Sequence, residues 1–160
     1  MAMTLTSPAF AHGDPIPVRC TGEGADVSPP LSWQGVPAGA ATLALIADDP
    51  DAPDPAAPRR TWVHWVVADL PASVNVLSEG ASRASMPAGA VEGRNDSGGI
   101  GYEGPYPPVG RHRYFFRLYA LDTRLGLPEG TTRADVERAM EGHVLATAEL
   151  MGTYQLGARG

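Results

Sequence analysis

Only one cysteine, Cys20, occurs in the chain, which excludes an intrachain disulfide and a cysteine-rich zinc site. Charge is also sparse. Asp, Glu, Lys and Arg make up 19% of the residues and the net charge is −6, so the chain as a whole is not an electrostatic binder of nucleic acid or of an anionic membrane surface. No run approaches the ~18 apolar residues of a membrane span. The first eleven residues show neither the basic segment nor the long apolar stretch of a secretory leader. Together these absences set the expectation of a soluble, cytoplasmic protein. No repeat, coiled-coil pattern or linker divides the 160 residues, and a single domain over 1–160 is expected.

What the chain does have is turn chemistry and apolar residues. Nineteen glycines and sixteen prolines accompany a hydrophobic content of 43%, a combination that predicts a turn-rich, mostly β protein with a real core. Three segments read as strong strands. Thr42 to Ala47 is an apolar run that Pro50 and Pro53 are expected to stop, because proline fixes φ and donates no hydrogen bond. Thr61 to Asp69 is apolar on both faces and reads as a strand buried on both sides. Its alternation puts Trp62, His64 and Val66 on one face. Tyr114 to Leu121 is the third. Residues 71–112 promise little regular structure beyond Val74 to Leu77, and a loop this long in a compact fold is usually functional or mobile. Thr132 and Asp135 resemble a capping box, and Val136, Met140, Val144, Thr147 and Met151 recur at helical spacing. A closing helix that ends at Gly152 is therefore expected, with His143 on its apolar face.

Two pattern matches fail on context. Gly99-Ile100-Gly101-Tyr102-Glu103-Gly104 fits a dinucleotide fingerprint, but prolines follow where the helix should start and no strand leads in. Asn95-Asp96-Ser97-Gly98-Gly99 resembles a serine-protease nucleophile loop without a matching histidine context. The constellation that remains is Asp49, Asp51, His64 and Arg111-His112-Arg113-Tyr114. The carboxylates lie at the end of one strong strand and the histidines within or at the start of two others, so neighbouring strands bring them to one end of a sheet. Imidazole donates to phosphate oxygens while a carboxylate orients the ring. The same groups would suit zinc or iron, but no compact ligand pair supports a metal.

These motifs resemble the phosphatidylethanolamine-binding proteins (PEBP), in their bacterial Raf-kinase-inhibitor-like branch. The matching pieces are Ser28-Pro29-Pro30-Leu31-Ser32-Trp33, Asp49-Pro50-Asp51-Ala52-Pro53 and Trp62-Val63-His64-Trp65. Gly104-Pro105-Tyr106-Pro107-Pro108, His112-Arg113-Tyr114 and the segment from Gly142-His143 to Gly152-Thr153-Tyr154 follow in the family's order. The resemblance implies a mostly β fold, with a large antiparallel Greek-key sheet, a smaller second sheet and a C-terminal helix. It also implies an anion pocket for phosphate or phosphorylated head groups of the phosphatidylethanolamine type. Mapped residue by residue, that pocket takes Asp49, Pro53, Trp62, His64, Gly104, Pro105, Tyr106, His112 and Tyr114, and the constellation adds Asp51. Tyr106 stands where bacterial relatives often carry a small residue or cysteine.

A binding or regulatory protein is the leading expectation, with inhibition of a kinase or protease as a family role. His112 is expected to be the main ligand donor, Asp49 to fix a histidine tautomer, and Gly101 and Gly104 to open a backbone nest for phosphate. The alternative is a hydrolase using His112 and Asp49 as acid and base. The absence of a clear nucleophile, metal motif or cofactor loop weighs against it. No cofactor and no metal are expected. The partners expected are a small anionic ligand and a second copy in a homodimer, built on Tyr102, Tyr106 and the last helix.

Overall fold

Runs of β-branched, aromatic and leucine residues form the long strands of the computed structural model, which describes residues 2–157. The strands are β1 (Thr4–Thr6), β2 (Leu31–Gln34), β3 (Thr42–Ala52), β4 (Arg60–Pro71), β5 (Val76–Leu77), β6 (Val91–Glu92), β7 (His112–Leu121) and β8 (Val144–Tyr154). The helix α1 spans Arg133–Met140. A small antiparallel sheet has the order β1-β2-β5, and a large one the order β6-β4-β3-β7-β8. After β3, β4 and β6 the chain returns to lay β7 beside β3, which is the Greek-key arrangement. The mostly β architecture with two sheets and one helix is as expected.

Alternation along β3 explains the two cores. Leu43, Leu45 and Ala47 face the small sheet and join Trp33, Trp65, Leu118 and Leu150 in the larger cluster. Ala44 and Ile46 face the other way and pack with Val63, Val66, Val136 and Met140 beneath α1. Parity therefore sends Asp48 and Asp49 to opposite faces of the sheet. Asp48 is held by Arg117 at 3.0 Å and Arg133 at 2.9 Å, which ties α1 to the sheet. Burial raises the Asp48 carboxyl above its ordinary range, and the two guanidiniums pull it back down.

Three expectations give way. The strand does not stop at Pro50: β3 runs on to Ala52, and the register slips between Asp49 and Ala52. A bulge leaves a residue unpaired, so a proline there forfeits no ladder bond. Trp62, His64 and Val66 do not share a face either. Ala47 pairs with Trp65 and Asp48 with Val63, so His64 is the extra residue of a bulge, and Val66 turns under α1 beside Val63. Finally, the closing helix ends at Met140. Gly142 adopts a left-handed φ of 78°, His143 N–H bonds the Met140 carbonyl at 2.9 Å, and the chain reverses into β8. The Thr132 cap is present, with its hydroxyl accepting from Asp135 N–H at 3.2 Å. His143 sits in that reversal and pairs with Asp122 at 2.7 Å.

The surfaces named for a dimer are largely used up inside the fold. Tyr102 is 2% exposed and donates its hydroxyl to the Cys20 carbonyl, and α1 turns Val136 and Met140 inward. Tyr106 alone of these aromatics stands out, at 62% exposure. Among the described residues no helix is long and apolar enough to cross a membrane.

Candidate functional site

The segment between β6 and β7 is ordered by side chains rather than by a ladder. Asn95 is buried, and its Oδ1 accepts from Ser97 N–H and Gly99 N–H while its Nδ2 donates to the Gly101 carbonyl. Asp96 accepts from Val63 N–H and from Arg60, pinning the loop to β4. Farther along, Glu103 N–H bonds the His64 carbonyl at 3.0 Å. The segment thus forms a wall over the bulged end of β4, opposite the end of β3 and the start of β7.

A cavity of about 370 Å³ lies in that corner. Of the residues expected from sequence, Asp49, Pro53, Trp62, His64, Gly104, Tyr106, His112 and Tyr114 line it, as do Pro107 and Pro108. Asp51 and Pro105 do not. Asp51 turns away to accept from Arg113 N–H at 2.9 Å and from the Arg113 guanidinium at 2.9 and 3.0 Å, a pairing that lowers its carboxyl. Ala52, Ser97 and Glu103 line the cavity without having been expected there. Ser97 belongs to the motif set aside for lacking a histidine context. Its Asn-x-Ser-Gly-Gly turn chemistry was the available signal.

The two histidines are held differently. His112 is 1% exposed and both of its ring nitrogens face acceptors. Nδ1 meets Asp49 Oδ2 at 2.6 Å, and Nε2 meets the Val109 carbonyl at 2.8 Å. A carbonyl cannot donate, so Nε2–H donates to Val109, and a proton must also lie between Nδ1 and the carboxylate. The pair is then neutral as a unit, and no ring nitrogen is left for a ligand. The expectation that His112 is the main ligand donor gives way on this geometry.

His64 is 6% exposed, and its Nδ1–H donates to the Glu103 carbonyl at 2.6 Å. Among the described residues its Nε2 has no hydrogen-bond partner. Burial pushes the imidazole below its ordinary pKa, while the bond to Glu103 and the charges of Asp49, Glu103 and Asp48 pull the other way. Tyr114 lies between the two rings, edge-on to His64 at 5.2 Å and stacked with His112 at 6.3 Å. Burial and then the nearby Asp49 charge raise its hydroxyl, which stays protonated as a donor.

The backbone nest expected at Gly104 is not built. Gly104 N–H bonds Asp26 Oδ1 at 2.8 Å, and a Cβ on this residue would run into the Cys20 carbonyl and the Asp26 carboxylate. Its missing side chain serves the approach of the Cys20–Thr21 backbone. No group of three or more metal-ligating side chains converges among the described residues.

The phosphatidylethanolamine-binding protein family model matches residues 6–155. A UPF0098 protein of Methanothermobacter thermautotrophicus is 52% identical over 156 residues, covering 97% of this chain and all of the relative. The crystal structure of CT736 from Chlamydia trachomatis, described as a homolog of phosphatidylethanolamine-binding protein, superposes with a TM-score of 0.88. It is 47% identical, with 96% of this chain and 97% of that one covered. E. coli YbcL, described as a member of the mammalian PEBP family, also gives 0.88, at 34% identity over 98% and 99% of the two chains.

Proposed function

The chain belongs to the phosphatidylethanolamine-binding protein family, and we propose that it is a small binding protein whose cavity takes phosphate or a phosphorylated head group, of which phosphatidylethanolamine is one bearer. The observation that carries this reading is His64: a buried ring on the wall of a cavity, with one nitrogen fixed on Glu103 and the other without a partner among the described residues. An arriving anion supplies the charge that burial denies the ring, so His64 takes up a proton as the ligand binds and Nε2–H donates to a phosphate oxygen. Ser97 lines the same cavity and offers a neutral hydroxyl, while Tyr114, whose hydroxyl bonds Asp49, forms the wall between the two histidines. Trp62, Pro53, Pro107 and Pro108 supply apolar walls for the carbon portion of the ligand.

Binding is favoured over hydrolysis because the acid–base pair of the alternative is spent. The proton between His112 and Asp49 serves their own bond, and no hydrogen bond between His64 and Ser97 activates the serine hydroxyl.

Calorimetric titration with inorganic phosphate and 2-aminoethyl phosphate, on the wild type and on His64→Asn, tests the proposal. Asparagine keeps a donor for the Glu103 carbonyl and removes Nε2. Saturable binding that weakens about tenfold or more in the variant, with no phosphate released, is expected for a charge-assisted hydrogen bond. Sustained phosphate release would replace this reading with the hydrolase, and unaltered affinity in His64→Asn would remove His64 from it.

A further inference from the structure

The bond that fixes His64 leads on to a second carboxylate. His64 Nδ1–H donates to the Glu103 carbonyl at 2.6 Å, and Glu103 N–H returns a bond to the His64 carbonyl at 3.0 Å. The Glu103 carbonyl and the Gly104 N–H belong to one peptide group. On its far side that N–H donates to Asp26 Oδ1 at 2.8 Å. A planar, rigid unit therefore stands between an imidazole and a carboxylate, with one hydrogen bond on each side. The segment that carries Asp26 is packed for this approach. The Tyr102 hydroxyl donates to the Cys20 carbonyl at 2.6 Å, and Gly22 N–H donates to the Pro105 carbonyl at 2.9 Å. Gly104 has no side chain to hold the two segments apart. Asp26 itself takes a left-handed φ of 60°, which aspartate tolerates better than most residues.

We propose that Asp26 is a positioning residue for His64, acting through the Glu103–Gly104 peptide group. This rests on the reading of His64 as the ligand-facing ring. A carboxylate that accepts from a peptide N–H polarises the group and makes its carbonyl oxygen a stronger acceptor, because bonds in a chain reinforce one another. The stronger acceptor confines the ring to the tautomer with its proton on Nδ1 and steadies the charge gained when Nε2 takes up a proton. Asp49 bonds His112 directly, whereas Asp26 reaches His64 from outside the cavity lining, across one peptide. Other groups also face the two ends of this chain. Asp48 and Asp49 of β3 and Glu103 of the wall act on His64 as charges, Tyr114 of β7 packs edge-on to it, and His112 shares its cavity. Cys20 and Tyr102 face Asp26, and burial keeps both protonated. Arg19, the nearest arginine in sequence, is engaged by Glu79.

The test is a calorimetric titration at pH 7 with sulfate, whose charge is constant in this range, on the wild type, Asp26→Asn and Asp26→Gly. Asparagine suits the left-handed backbone and its amide oxygen still accepts from Gly104 N–H, so only the charge is lost. Glycine suits the backbone as well and removes the acceptor. Affinity should fall about threefold in Asp26→Asn and further in Asp26→Gly, as expected when a charge-assisted bond becomes neutral and is then lost. A role confined to packing predicts no change in Asp26→Asn. A charge acting only through space predicts tighter binding of the anion once it is removed. Either result overturns the proposal. Proton NMR of the free protein gives the second readout: the His64 Nδ1–H resonance should move upfield in Asp26→Asn as its bond weakens. A resonance that stays in place overturns the proposal whatever sulfate does. Failure of sulfate to bind the wild type removes the anion reading of His64, and the Nδ1–H resonance still decides whether Asp26 acts on the ring.

Discussion

His64 and His112 face one cavity and share Tyr114 as a neighbour, yet the fold completes one and leaves the other open. His112 opens β7, where cross-strand pairing puts it against the end of β3, so Asp49 and the Val109 carbonyl occupy both its nitrogens. His64 is the extra residue of a bulge in β4 and meets a single acceptor from the loop above it. The difference teaches that residue type and burial do not by themselves assign a role. What distinguishes a structural from a ligand-facing histidine here is the count of protein acceptors around the ring.

Four perturbations would break or sharpen the contrast. The largest effect is expected at the completed histidine. His112→Ala should destabilise the fold by about 3 kcal/mol in chemical denaturation, because it strands a buried carboxylate and opens a cavity. Next comes the loop that gives His64 its acceptor. Gly104→Ala should cost about 2 kcal/mol, since the new methyl group meets backbone that cannot easily move. Third, His64→Asn should change stability by less than about 1 kcal/mol, as expected when the one protein hydrogen bond is kept, while its phosphate affinity falls. Equal destabilisation of the His64 and His112 variants would erase the distinction between them.

The smallest effect is in the pH dependence of stability. The folded-state pKa of His64 is lowered, so the folded protein binds fewer protons than the unfolded chain. The corresponding stability is fully present above the ordinary histidine value of about 6.5 and is lost as pH falls through the lower folded value. Asp51 adds a second loss as pH falls below the ordinary aspartate value of about 3.9 toward its lowered one. Denaturation curves of wild type and His64→Asn between pH 7 and 5 should therefore converge as the pH drops. Ligand affinity should run the other way, falling as pH rises from about 6 to 8, because binding then has to recruit a proton to His64. Sulfate, whose charge is constant there, isolates the histidine contribution.

Much of this was legible in the residues. The convergence of Asp49 with His112 follows from three strong strands and their ends, and the Thr132 cap marks where α1 begins. What the sequence concealed has physical reasons. A bulge adds one residue without any compositional mark, so alternation carried Val66 to the wrong face. In β8 three of the inward positions are Ala146, Ala148 and Gly152, too small to mark the alternation, while Val144, Thr147 and Met151 happen to continue the spacing of the helix before it. Asp51 looked equivalent to Asp49, but the side on which each falls depends on the slip in register around Pro50. Glu103 showed no signal, because its place in the cavity comes from main-chain bonds between its loop and His64.

The most direct test of the central claim is a long-range nitrogen NMR spectrum of the two imidazoles, recorded near neutral pH with and without phosphate. Free His64 should be neutral with its proton on Nδ1, and phosphate should protonate its Nε2 while the His112 resonances stay in place. A bound state in which His64 remains neutral and His112 shifts instead would contradict it.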